Sequence, residues 1–185
     1  MADNDAPTVW VGCLGCYNGG ALVGAWFDAT DAPQDMAEFA AAGVKVPGAH
    51  ALEAHEELWC FDFEDTSGLF TGECSPAEAR RLGELHAAIV ADAYPVSAVV
   101  AWHDWCGADL EEWDKPTREA FEDAYAGEWH SEEEYAQDLA ESIGAISSDA
   151  TWPCTCIDWE QAARELFTDY VSVQSPFGVY VFRNV

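Results

Sequence analysis

The sequence predicts an α+β protein in three parts, and three observations predict it. Runs rich in β-forming residues fall at both ends of the chain, at residues 8–14, 21–27 and 57–63 and again at 170–174 and 178–183. Apolar stripes with helical spacing lie between them, most clearly Leu82, Leu85, His86, Ile89 and Val90. Two capping signatures, Ser75-Pro76-Ala77-Glu78 and Ser131-Glu132-Glu133-Glu134, mark where helices start. The expected division is an α+β N-terminal subdomain over residues 1–68, a helical middle over 69–110 and an α+β C-terminal subdomain over 111–185.

In chain order, Thr8-Val-Trp-Val-Gly-Cys-Leu14 reads as a strand. Asn18-Gly19-Gly20 is a turn signal that lets residues 21–27 return as a second strand. Pro33 near its start and Gly43 past its end bracket a short helix over 33–42. In the strand at 57–63, Leu58, Cys60 and Asp62 point one way and Trp59, Phe61 and Phe63 the other; the aromatic set is the expected buried face. Ser75 is placed to cap the next helix, with Glu78 reaching back to complete a capping box. Pro95 interrupts. Residues 96–105 read as a helix capped by Ser97 that buries Val100, Ala101 and Trp105, although the valines also suit a strand.

A helix over 117–126 turns Ala120, Phe121, Ala124 and Tyr125 inward and ends at Gly127. The next starts at Ser131, buries Tyr135, Leu139 and Ile143, and stops at Gly144. Its three leading glutamates sit where the helix dipole favours anions. Asp158 caps a last helix over 159–168, with Ala162, Ala163, Leu166 and Phe167 inward, before the two closing strands joined by Ser175-Pro176-Phe177.

The 185 residues carry 35 acids and 7 Lys+Arg, a formal charge of −28, yet half are hydrophobic and 13% aromatic. That apolar share excludes a disordered acidic tail, and the charge argues against binding nucleic acid, whose phosphates would be repelled. No apolar run reaches the ~18 residues of a membrane span, and the acidic start Asp3-Asn4-Asp5 is unlike a secretory signal. A cytoplasmic protein with no membrane partner is expected, its seven scattered cysteines mostly buried thiols.

Catalytic and metal signatures are sparse. Cys13-x-x-Cys16 invites a zinc reading, but a structural site takes four ligands, and Cys154-x-Cys156 supplies the others only if the termini meet. The pair reads as buried thiols, and the expectation is no metal, no cofactor and no catalytic residue. His50 and His55 share a loop, and His86 lies on a buried helical stripe. His103-Asp104 resembles a base and its orienter, although adjacent side chains seldom point together. Nucleophile elbows, phosphate loops and calcium loops are missing.

The acids cluster. Residues 104–141 hold 14 acids against Lys115 and Arg118, a net of −12 in 38 residues. A helix rises about 1.5 Å per residue, so acids three or four apart lie roughly 5 to 6 Å apart, similar to successive phosphates of one DNA strand. The candidate surface is Asp109, Glu111, Glu112, Asp114, Glu119, Glu122, Asp123, Glu128, Glu132, Glu133, Glu134, Asp138 and Glu141. The plainer reading is a solvated face in an acid-rich proteome; the shortage of basic partners is what speaks against it.

The chain resembles the ArdA-type antirestriction proteins over nearly its whole length. The likeness rests on Val9-Trp-Val-Gly-Cys-Leu-Gly-Cys-Tyr-Asn-Gly-Gly20, Leu22-Val-Gly-Ala-Trp-Phe-Asp28 and Glu57-Leu-Trp-Cys-Phe-Asp-Phe-Glu64. Its most specific part is Glu119-Ala-Phe-Glu-Asp-Ala-Tyr-Ala-Gly-Glu-Trp129 running into Ser131-Glu-Glu-Glu-Tyr-Ala-Gln-Asp-Leu-Ala140. Ile157-Asp-Trp-Glu-Gln-Ala-Ala-Arg-Glu-Leu-Phe167 and Gly178-Val-Tyr-Val-Phe-Arg183 complete it.

The resemblance implies an elongated, usually dimeric DNA mimic, carried on mobile elements. It would occupy the DNA groove of a type I restriction–modification enzyme at its methyltransferase core, without catalysis or cofactor. The segment from Phe121 to Glu128 would be the region linked with antirestriction. The extra cysteines and the tryptophans at 102, 105 and 113 depart from that pattern. An acidic module for another DNA-binding protein, a small zinc-dependent enzyme using the cysteines and histidines, and an acidic protein with no such partner are the alternatives.

Overall fold

The computed structural model describes residues 5–45, 55, 57–107, 110–147 and 149–184. The chain is α+β, with seven α-helices and two three-stranded antiparallel sheets among the described residues. It forms two compact units, residues 1–100 with 111–113, and residues 101–110 with 114–185.

In the first unit, β1 (Thr8–Cys13) runs into a one-turn helix, α1 (Leu14–Asn18), and the chain returns as β2 (Gly24–Asp28). The second strand begins three residues later than expected because α1 and its glycine turn, with Gly20 at φ +82°, take up the intervening chain. The helix expected over 33–42 is α2 (Met36–Ala41); Asp35, accepting from the N–H groups of Ala37 and Glu38 at 2.8 Å, caps it rather than Pro33 opening it. β1 is the central strand, flanked by β2 and β3 (Leu58–Glu64).

The expected buried face of β3 is corrected. Trp10 pairs with Asp62 but Val11 pairs with Cys60, so Phe61 is an extra residue. A bulge of this kind reverses the alternation that follows it. Leu58 and Cys60 face the core before it and Phe63 after it, alongside Val9, Val11, Cys13 and Phe39. Phe61 lies on the other side, 4.4 Å from the Tyr17 ring and 5.8 Å from Trp10.

α3 (Pro76–Ala91) buries Leu85, His86 and Ile89 as its stripe predicts, with Leu82 packed against the core edge. Ser75 caps it by accepting from the Glu78 N–H at 3.2 Å, but the Glu78 carboxylate turns to Arg81 (2.7 and 3.0 Å) instead of closing a box. α4 (Val96–Cys106) is the helix expected there, one residue longer. Ser97 lies inside its first turn, and the buried residues are Val96, Ala98, Val99 and Trp102 rather than Val100, Ala101 and Trp105.

In the second unit, α5 (Lys115–Ala124) runs without a loop into a strand the sequence did not announce, β4 (Tyr125–Trp129). Gly127, expected to end the helix, sits inside this strand at φ +109° where the register shifts. α6 (Glu132–Ser142) and α7 (Trp159–Leu166) follow, then β5 (Tyr170–Gln174) and β6 (Val179–Arg183). The sheet order is β4-β6-β5. The core gathers aromatic rings around Phe121 and Phe182, with Trp105 stacked 6.0 Å from Phe182 and Trp102 edge-on to Phe121 at 5.7 Å.

Candidate functional site

The acids of the second unit are set by the two helices that carry them. Asp114 caps α5, accepting from the Thr117 N–H at 2.9 Å, and the Thr117 side chain together with that N–H holds its carboxyl below the usual range. Phe121 and Ala124 are fully buried, which turns Glu119, Glu122 and Asp123 to solvent. Ala120, expected inward, is exposed, because the buried stripe is a single line through Phe121 and Ala124. Lys115 pairs with Glu119 at 3.3 Å and Arg118 with Glu122 at 3.7 Å, each one turn apart.

α6 repeats the arrangement. Ser131 caps it through the Glu134 N–H at 3.2 Å, and the Glu134 carboxylate accepts from the His130 N–H at 2.7 Å. Ser131 also holds the Glu133 carboxyl low. Tyr135 and Ala136 are buried, and burial beside Tyr170 pushes the Tyr135 hydroxyl up. Ile143 corrects the expected stripe: it is the C-cap and is 70% exposed. Glu134 and Asp138 are exposed, while Glu132, Glu133 and Glu141 are half-buried. Glu132 accepts from Ser172 Oγ at 2.5 Å and Glu141 from Gln137 at 3.1 Å.

Asp138 and Glu141 edge an open groove of about 580 Å³ with Ser142, Gly144, Ile146 and Ser147. Glu128 projects from β4. Asp123, Glu128 and Asp138 enter no ion pair among the described residues. In the first unit Glu111 and Glu112 are exposed. Asp109 lies outside the described residues, as does His50.

Other chemistry-bearing groups fall differently from expectation. Only Cys13, Cys16 and Cys60 are buried; Cys74 is partly so, and Cys106, Cys154 and Cys156 are exposed. Cys60 and Cys74 exchange backbone hydrogen bonds at 3.0 and 3.2 Å, and their interaction raises the Cys60 thiol while lowering that of Cys74. His103 Nδ1 does lie 3.2 Å from Asp104 Oδ1, contrary to the expectation for adjacent residues, on an exposed helix end.

His55 lies between the sulfurs of Cys13 and Cys16, with Nδ1 at 3.1 and 3.5 Å. All three residues are buried. Burial, and then Cys13, raises the Cys16 thiol. The sequence carried a partial signal for this group in its Cys-x-x-Cys, but the third member is 42 positions away from Cys13.

A family-wide sequence profile described as antirestriction protein (ArdA) matches residues 9–179. The chain belongs to the ArdA family. The ArdA match runs from β1 to the first residue of β6 and includes both acidic helices. Membership in ArdA implies an antirestriction function and an encounter with restriction–modification enzymes. No curated protein matches the chain.

Proposed function

We propose that this ArdA protein inhibits type I restriction–modification enzymes by presenting carboxylates where their methyltransferase core expects DNA phosphates. The observation that carries the reading is the pair of helices α5 and α6, whose apolar faces are buried while Glu119, Glu122, Asp123, Glu134 and Asp138 stand in solvent. From 114 to 141 there are ten acids against two bases. The Glu119–Asp123 and Glu134–Asp138 spacings of four residues put charges about 6 Å apart along each helix axis. Both basic side chains are spent on exposed one-turn pairs, which contribute about 0–1 kcal/mol each and leave the net charge negative. A surface of this kind attracts an enzyme that grips DNA with Lys and Arg and gains from the same counterion release.

The reading has the protein acting as a cytoplasmic homodimer, with no cofactor, no catalysis and no nucleic-acid ligand of its own. Inhibition is then occupancy of the groove. The test is competition: the protein displaces duplex DNA from a purified type I methyltransferase, and does so less well as salt rises. Because the charge is distributed, a single reversal such as Asp138→Lys costs little. Neutralising six or more of the acids weakens displacement progressively. Abolition by one Glu→Gln change, or displacement indifferent to salt, would overturn the proposal.

A further inference from the structure

We propose that Cys13, Cys16 and His55 form a three-ligand site, with its fourth position open to a non-protein ligand, for a thiophilic divalent cation of the zinc class. The two sulfurs and His55 Nδ1 lie within 4.8 Å of one another, with the nitrogen 3.1 and 3.5 Å from the sulfurs. In a tetrahedral zinc site, with Zn–S ≈ 2.3 Å and Zn–N ≈ 2.0–2.1 Å, the sulfur–nitrogen edge is about 3.6 Å. Both sulfur–nitrogen edges are therefore close to those of that polyhedron, the shorter within about half an ångström of it.

The backbone supports the same chemistry. Cys13 ends β1 and Cys16 lies in the turn of helix that follows, so the two-residue spacing folds both sulfurs to one side. The Cys16 N–H points to Cys13 Sγ at 3.4 Å, the kind of contact that orients a ligating thiolate. The Glu57 carbonyl accepts from the Leu14 N–H at 3.0 Å, which ties the residue before β3 to the β1–α1 junction.

The charge of the loaded site suits its burial. Two thiolates and a neutral imidazole cancel a divalent charge, so the assembled site is neutral in a core where an uncompensated ion would be costly. Sulfur and imidazole donors select zinc over magnesium or calcium, which prefer oxygen. The abundant surface carboxylates are therefore a separate class of cation binder. On binding, each thiol gives its proton to solvent and the fourth coordination position is completed by water. The ion joins the β1–α1 turn to the segment entering β3 and adds its binding free energy to folding.

The experiment uses the full chain, reduced with a phosphine, loaded with zinc and washed in high salt to strip cations from the carboxylates. Elemental analysis is expected to give one zinc per chain. Cys154→Ser with Cys156→Ser keeps it, whereas Cys13→Ser with Cys16→Ser loses it. Because the latter pair lies in the core and its variant can fail to fold, cobalt(II) titration of the unaltered protein decides independently. Tetrahedral d–d bands with a thiolate-to-cobalt charge-transfer band are expected, weakened in His55→Gln. Wild-type protein that retains no zinc, a folded Cys13/Cys16 variant that retains it, or cobalt bound without a thiolate band would each overturn the site.

Discussion

The Glu78–Arg81 pair shows how a single carboxylate responds to its surroundings. The Arg81 guanidinium holds the Glu78 carboxyl below its ordinary value, against a smaller opposing effect of burial. A group with a depressed folded pKa stabilises the fold above its unfolded pKa, about 4.3 for Glu. That contribution is lost as pH falls through the lower folded value. Glu78→Gln is therefore expected to reduce stability at neutral pH and to flatten the loss below about pH 4.3, seen in urea denaturation repeated across pH. With the pair half-exposed, the effect belongs at the low end of surface ion pairs. Caps were legible at this scale because they are local: Ser75, Ser131 and Asp158 each bond the N–H three residues on. The meeting of Cys13 and Cys16 with His55 was not legible, since spacing along the chain says nothing about contacts closed by a tertiary fold.

Elements were legible where one periodicity ruled and obscure where a partner overruled it. The stripe of α3 and the strands β5 and β6 needed no outside information. β4 did: Ala126 and Gly127 are poor strand formers, and it is the pairing of Tyr125, Gly127, Glu128 and Trp129 with β6 that makes this segment extended. β3 was found but its inner face was misassigned, because the bulge at Phe61 exists only relative to β1. α3 also contains a glycine whose role is invisible in sequence. A Cβ on Gly83 would stand 2.6 Å from the Thr30 nitrogen and 2.9 Å from the Ala29 carbonyl carbon, which are backbone atoms unable to yield cheaply. Gly83→Ala gains about 1 kcal/mol of helix propensity but incurs an overpacking cost of about 1–3 kcal/mol. A net loss of stability in chemical denaturation is the expected result; a gain would mean that α3 can shift away from the 29–31 turn.

At the scale of the whole molecule, charge opposes the fold that displays it. A formal −28 over 185 residues is a self-repulsion that the few exposed ion pairs do not offset. Screening relieves it, since the Debye length falls from about 10 Å at 0.1 M salt to about 3 Å at 1 M. Thermal unfolding should therefore shift upward by several degrees over that range, while displacement of DNA from the restriction enzyme declines. A Tm indifferent to salt would mean the carboxylates are already too far apart to repel. The acid cluster was legible because charge is counted directly from the sequence, and the helical stripes already turned Glu119, Glu122, Asp123, Glu134 and Asp138 outward; the half-burial of Glu133 and Glu141 required the fold. The strand orders have a further consequence for synthesis. In the first sheet the middle strand, β1, is the earliest made, so its neighbours can dock as they emerge from the ribosome. In the second sheet the middle strand, β6, is the latest of the three. β4 and β5 have nothing between them to zip onto until residue 183 has been translated, so this half matures only after its own messenger has been read through that codon.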